Sequence, residues 1–379
     1  MWATNQFNGS IIAGTGFGKT RCCVLAVGET IRRRNANPPY HDYDALVLVP
    51  TVQLKDQFKE EFIKWGYEDI LDNVRFECYQ TAYKYAAQHY SIVVCDEIHL
   101  GLSSKYRKFF TSNKFDRLLC VTATLPEEQE YREILQTLAP IVYTITLDQC
   151  VNYGFVSAYE IDCISVKLTP EEQKEYTRAN QSFVRWKYEL GQFDAFNQAN
   201  TILNNKKSLP NDKKKAIMFY KAIRKRKDVV DNASNKLILL HELIEKYEGK
   251  KILTFGGSNE FTNRMCDAIN GISYHSGIPK KTRTLNLEAF KNNEVNVLCS
   301  TKALNQGLNI PDAEIGIICG LTSKSLTMVQ RVGRLLRLKK DKVGKVIILY
   351  VAGTQEEKWL KNSVRTLSNV NFISCINSL

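Results

Sequence analysis

Two α/β domains with parallel sheets, joined by a helical basic segment, are predicted by three observations. Short apolar runs alternate with helix-length stretches, the alternation stops between about 170 and 235, and it then resumes to the C-terminus. Strands apolar on both faces and separated by helices indicate a parallel sheet covered on both sides. The first set of runs is SIIAG, ALVLVP (45–50), SIVVCDE (91–97), RLLCVTAT (117–124) and IVYTIT (141–146). The second is KILTF (251–255), GISYH (271–275), VNVLCS (295–300), EIGIICG (314–320) and KVIILYV (345–351). The expected division is a first domain at 1–160, a helical segment at 161–235 and a second domain at 236–379.

A chain of 379 residues is about two domains' worth, and 44% hydrophobic with 24% charged residues is ordinary globular composition, which excludes disorder, collagen and coiled coil. No apolar run reaches the roughly 18 residues of a bilayer span, and MWATNQFNGS has neither a basic nor an apolar leader region. A soluble, cytoplasmic protein without membrane partners is expected, as a monomer or weak oligomer. Eleven cysteines, with one vicinal pair at Cys22-Cys23 and no C-x-x-C, read as reduced core thiols rather than zinc ligands. The net charge of +12 favours a polyanionic partner, and it is unevenly spread. Residues 1–160 carry 16 basic and 19 acidic side chains, whereas 161–379 carry 36 and 21, so the positive potential belongs to the second half.

The stretch Ala13-Gly14-Thr15-Gly16-Phe17-Gly18-Lys19-Thr20 follows a short apolar strand and opens the helix-like TRCCVLAVGETIRRR. Glycines let the backbone curl until successive N–H groups point at phosphate oxygens, and the helix N-terminus adds a favourable dipole. Lys19 would neutralise β and γ phosphates and the Thr20 hydroxyl would help hold Mg²⁺. Ala13 stands where the strict G-x-x-x-x-G-K-[ST] pattern has glycine, so the match is to an A-x-x-G-x-G-K-T variant. Asp96 and Glu97 emerge from the C-terminal end of SIVVC, the edge where ligands sit in parallel sheets. Asp96 is suited to orient Mg²⁺ through its water shell and Glu97 to accept the proton of an attacking water. They read on as Asp96-Glu97-Ile98-His99, with Thr122-Ala123-Thr124 ending the next strand.

With these pieces in order the chain resembles a superfamily-2 helicase of the DExH type, a fold of two RecA-like P-loop domains. Ser300-Thr301-Lys302 with Gln306-Gly307 and Asn309-Ile310-Pro311 resembles motif V, Gly307 lying on the nucleotide side, and Gln330-Arg331-Val332-Gly333-Arg334-Leu335-Leu336-Arg337 matches the Q-x-x-G-R-x-x-R of motif VI. Gln330, Arg334 and Arg337, at i, i+4 and i+7, share one helical face. The resemblance implies that they reach across an interdomain cleft to the γ-phosphate, the arginines as fingers supplied in cis. It also implies ATP and Mg²⁺ as cofactors and a coupling role for His99, Thr122 and Thr124. Strand-contacting positions follow from it too. Pro50-Thr51 with Gln53 looks like motif Ia, Gln80-Thr81 resembles the Ib region, and Phe255-Gly256 opens motif IV. His275-Ser276-Gly277 and Thr301 would present donors to phosphates, contacts that position without specifying sequence.

Residues 206–227 carry ten basic side chains against one acid. They read either as a solvated helix or as a strand-tracking surface that includes Lys214, Arg224 and Arg226. The tail of the motifs is most similar to the XPB-like group, which includes the phage recombination and branch-migration helicases of the UvsW type. That similarity implies a forked, branched or duplex DNA substrate and a phage source. An RNA helicase and a non-hydrolysing nucleic-acid clamp are the alternatives. Motif V carries Gln306 and Asn309 where relatives often have charged residues, which predicts altered coupling. The dozen residues before the phosphate loop leave no room for an adenine-reading Gln motif.

Overall fold

The structure, a computed structural model, describes the chain except Thr15, 37–43, Thr124, Glu127, 302–312, 323–342, Thr366 and 377–378. Its strands are β1 (Asn8–Ala13), β2 (Ala45–Val49), β3 (Val74–Cys78), β4 (His89–Tyr90), β5 (Ile92–Asp96), β6 (Lys114–Phe115), β7 (Leu118–Thr122) and β8 (Ile141–Ile145), followed by β9 (Tyr159–Val166), β10 (Ile252–Phe255), β11 (Ile272–Tyr274), β12 (Val297–Ser300), β13 (Ile315–Ile318), β14 (Gly344–Val351) and β15 (Val370–Ile373). They form two large parallel sheets, ordered β3-β2-β5-β7-β1-β8 and β11-β12-β10-β13-β14-β9-β15, with β4 and β6 as a small ribbon. These are two RecA-like α/β domains. No helix among the described residues is long and apolar enough to cross a membrane.

All ten apolar runs become strands, and those in the interior of the two sheets are buried on both faces, which favours apolar residues along their length. Every residue of β2 is buried, and only the terminal Asp96 of β5 reaches partial exposure. The strands that carry no such run are the informative ones. In β3 the buried Val74, Phe76 and Cys78 alternate with Arg75 and Glu77, as fits the edge of a sheet. In β9 the apolar run is interrupted by Glu160 and Asp162, whose charges are met by Lys345 on the neighbouring β14.

That β9 strand corrects the expected boundary. It pairs with β14 along eight residues, Tyr159 to Val166, so the second sheet claims the chain before residue 161. The helices that follow are an insertion into the second domain. Pro170–Glu189 and Pro210–Asp231 lie against each other, with Ala195–Asn204 at their outer end, around Phe183, Phe219, Ala199 and Ala216. Phe183 and Phe219 stack with ring centroids 5.6 Å apart. The insertion is pinned at its base by Glu172. It completes a capping box with Thr169 and also accepts from the backbone N–H and hydroxyl of Ser234, both at 2.8 Å. Helix Ser234–Lys246 then returns to pack Leu240 and Leu243 on the second sheet.

Candidate nucleotide and nucleic-acid site

The strand order puts β7 between β1 and β5, so the phosphate loop, Thr122 and the Asp96-Glu97 pair leave adjacent strands on one edge. Ile12 is in register with Thr122, and Val121 with Asp96. After Ala13 the chain turns through Gly16 and Gly18, with φ of +93° and +96°, conformations that a side chain strains. A Cβ on Gly16 would also run into Val156. Helix Lys19–Ala36 then starts, its first turn closed by Cys22 N–H on Gly18 O at 3.1 Å. The Lys19 ammonium folds over the loop and donates to Ala13 O at 2.9 Å and Gly14 O at 3.3 Å. It thus lies among the groups expected to cradle phosphates, with carbonyls as its acceptors.

Glu97 sits at φ +50°, a left-handed conformation that few non-glycine residues adopt, at the point where β5 turns into the short helical turn Ile98–Leu100. Tyr79 holds this corner by donating its hydroxyl to Asp96 O at 2.8 Å. The fully buried Thr122 donates to Glu97 Oε2 at 2.9 Å; His99 Nδ1 lies 3.2 Å from the Thr122 hydroxyl and 3.3 Å from Glu97 Oε2. Burial alone would raise the Glu97 carboxyl. The His99 hydrogen bond, the charges of Lys19 and His99, and the Thr122 hydroxyl outweigh it and hold the group below the ordinary carboxylate range. Glu97 is therefore ionised at neutral pH and aimed by two neighbours, the condition a proton acceptor needs.

Among the described residues no cluster of three or more His, Cys, Asp or Glu could hold a metal. The Thr20 hydroxyl and Asp96 carboxylate, both partly exposed on this edge, are two hard oxygen donors. Such a sparse set fits Mg²⁺, which keeps waters and takes phosphate oxygens. Beside the loop, Phe17 packs on Tyr143 and Phe155 with centroids 6.1 and 5.5 Å away. Sequence reasoning passed over these two aromatics and Tyr79, since none lies in a recognisable pattern.

The expected strand contacts divide by exposure. Thr51 precedes helix Val52–Lys64 at the end of β2, and Gln53, Gln80 and Thr81 are exposed on the same edge as Glu97, whereas Pro50 is buried. In the second domain the Phe255 side chain is fully buried, which rules out contact through its ring. Gly256 donates its N–H to Ser300 O at 2.8 Å. His275 is buried and both its nitrogens are engaged. Nδ1 accepts from Gly277 N–H at 3.1 Å, which leaves the proton on Nε2, 2.8 Å from Asn263 Oδ1. Burial and the nearby Arg283 lower its pKa, so the ring is neutral and holds the turn that exposes Ser276. Thr301 donates to Asn259 Oδ1 at 3.2 Å.

The basic helix is less free than its sequence. Lys214 and Arg224 are exposed. Arg226 instead stacks its guanidinium 4.1 Å over the Phe183 ring and donates to Gln355 Oε1 at 3.2 Å, so it clamps the insertion to the second domain. Lys215, Lys225 and Lys227 pair with Glu189, Glu175 and Asp231. Thr15, Thr124, Gly307, Gln330, Arg334 and Arg337 lie outside the described residues.

Comparison with known proteins finds a family match in each half of the chain. Residues 1–127 match the family "Type III restriction enzyme, res subunit", and 235–339 match "Helicase conserved C-terminal domain". The chain is 25% identical to the DNA 3'-5' translocase XPB2 of Sulfurisphaera tokodaii, over 92% of this chain and 79% of that protein. It is also 25% identical to the pre-mRNA-processing ATP-dependent RNA helicase PRP5 of Vanderwaltozyma polyspora, over 86% of this chain but 37% of that protein. The Pyrococcus furiosus Hef helicase domain superposes with a TM-score of 0.59 at 15% identity, covering 96% of both chains.

Proposed function

We propose that the chain is an ATP-driven motor of the superfamily-2 helicase type that translocates on DNA and remodels forked, branched or duplex substrates, a reading supported by the two matched modules in this order on two RecA-like sheets. The observation that carries the catalytic half is the Glu97, Thr122 and His99 triangle, one strand away from the phosphate loop. In this reading Glu97 takes the proton of a water attacking the γ-phosphate in line, and Lys19 leaves its backbone carbonyls for the phosphate oxygens. Mg²⁺, held by Thr20 and Asp96 largely through water, supplies charge neutralisation when bound. By the family resemblance Gln330, Arg334 and Arg337 would supply the further γ-phosphate contacts, and Thr122 and His99 would relay the state of the site to the strand-binding edge. The acceptor of a strand is the line of Thr51, Gln53, Gln80 and Thr81 in the first domain and Ser276 in the second, Gly256 and Thr301 being buried with their donors engaged. These are polar groups suited to phosphates rather than bases.

DNA is favoured by the archaeal translocase aligned along nearly the whole chain and by the positive charge concentrated in residues 161–379. Action on RNA is the second reading, favoured by the similarity to the yeast RNA helicase. Steady-state ATP hydrolysis with single-stranded DNA, duplex DNA, a four-way junction or RNA separates them. Stimulation chiefly by duplex or branched DNA is expected and would justify branch-migration assays. Stimulation by RNA alone moves the protein to the second reading. ATP turnover that no nucleic acid changes would sink both.

A further inference from the structure

The outer end of the helical insertion carries a surface that the nucleotide site does not use. Helix Ala195–Asn204 and the following Asn205 contain no charged residue although most of their positions are exposed. An exposed helix is ordinarily covered with charges and i,i+4 ion pairs, and asparagine is a poor helix former, so solvation alone does not account for this composition. Asn197, Asn200, Thr201, Asn204 and Asn205 fall at i, i+3, i+4, i+7 and i+8 and form one shallow, open stripe on the helix surface. One end of that stripe is marked by Phe193, 97% exposed in the turn before the helix. The other runs into the exposed Lys206 and Lys207, and Lys214 lies one turn into the next helix.

We propose that this tip is a second nucleic-acid site, which takes a short run of unpaired nucleotides, DNA or RNA. The inference rests on the reading of the chain as a nucleic-acid motor. Each part of the surface matches one part of that ligand. Phe193 has an unobstructed ring face for a base, and aromatic stacking tolerates any base. The carboxamides supply donors and acceptors to base edges and sugars, a pairing that lysines or glutamates in the same stripe could not provide. The lysines beyond Asn205 meet the phosphates. Ten helical residues rise about 15 Å, the span of roughly four stacked nucleotides at about 3.4 Å each. A segment peeled from a fork or bubble is held here, away from the strand on the sheet edges.

The test uses the full chain and single-stranded DNA and RNA oligonucleotides carrying 5-iodouracil, with a blunt duplex as control. Irradiation should crosslink the iodouracil to the peptide containing Phe193. Phe193→Ala should weaken single-strand affinity about tenfold and remove that crosslink. Asn200→Asp with Asn204→Asp, which keeps an acceptor for the Tyr220 hydroxyl, should weaken it similarly by setting carboxylates against phosphates. ATP hydrolysis without nucleic acid should be unchanged in both variants. Wild-type protein stimulated by nucleic acid, but with affinity that neither variant alters, overturns the tip site alone. A variant phenotype confined to self-association in light scattering also overturns it, in favour of contact between copies. Wild-type protein that binds no oligonucleotide overturns the site and the motor reading together.

Discussion

The two sheets end on the same kind of edge and use it differently. At the first, Lys19, Asp96, Glu97 and His99 are only partly covered, and Glu97 and His99 share one buried hydroxyl, that of Thr122. At the second, the strand ends carry Gly256, Ser300, Thr301 and His275, all neutral and bonded to one another or to Asn259 and Asn263. Among the described residues, one ion pair that the second domain holds there is hidden. Lys236 and Glu356 are fully buried, with Nζ to carboxylate distances of 2.8 and 2.9 Å. Lys236 also donates to Cys319 O just past β13, and Glu356 accepts from Val351 N at the end of β14. Repeating an architecture has not repeated its chemistry. Among the described residues, the first edge keeps charges where a substrate can reach them, and the second uses a buried pair to fix strand ends.

The sharpest break of that contrast is Glu97→Gln. The amide retains the Thr122 hydrogen bond but accepts no proton, so ATP turnover should fall roughly 10³-fold to 10⁴-fold while ATP binding and melting temperature are retained. Near-wild-type hydrolysis would remove Glu97 from the reaction. On the second edge the matching experiment reads stability. Lys236→Met strands the Glu356 carboxylate in the core and should cost about 3–5 kcal/mol in denaturant unfolding, and Lys236→Met with Glu356→Leu should recover much of it. If Lys236→Met unfolds like wild type, the pair is not holding the sheet.

What the sequence revealed about these edges follows from the range of the interactions. The phosphate loop, Asp96-Glu97-Ile98-His99 and the ten apolar strands are local patterns, and they stand where a parallel-sheet reading put them. Whatever depends on distant partners was not legible. Arg226 reads as one basic residue in a run, and only the fold brings it to Gln355, 129 residues away. Phe255 and His275 look available because their neighbours are glycines and serines, yet packing inside the second sheet consumes both. The β9 strand hid behind two acids whose counter-ion, Lys345, lies 183 residues beyond Asp162.

Smaller perturbations grade the contrast more finely. Thr122→Val keeps the shape of a fully buried side chain and deletes the hydroxyl that both Glu97 and His99 use. Turnover should drop about tenfold, in line with one lost charge-assisted hydrogen bond. Since that bond helps hold Glu97 below its ordinary value, its loss should move the acidic limb of the pH–rate profile to higher pH. An unmoved limb would show that Thr122 does not tune the carboxylate.

The smallest effect expected concerns the two domains' response to acid. In the folded second domain His275 has a pKa below its ordinary 6.5, because burial and then Arg283 disfavour the imidazolium. Its contribution to stability is therefore complete above about pH 6.5 and is lost as pH falls through the folded value, where the unfolded chain binds a proton that the folded one refuses. Glu97 in the first domain is also shifted down, but from 4.5, so its contribution persists until a more acidic range. Between pH 7.5 and 5.5 the second edge should respond through His275. His275→Asn, which cannot titrate, should then lose less melting temperature than wild type across that interval. Equal losses in wild type and His275→Asn would mean that the imidazole takes up its proton as readily in the folded protein as in the unfolded one, and burial could not be what keeps it neutral.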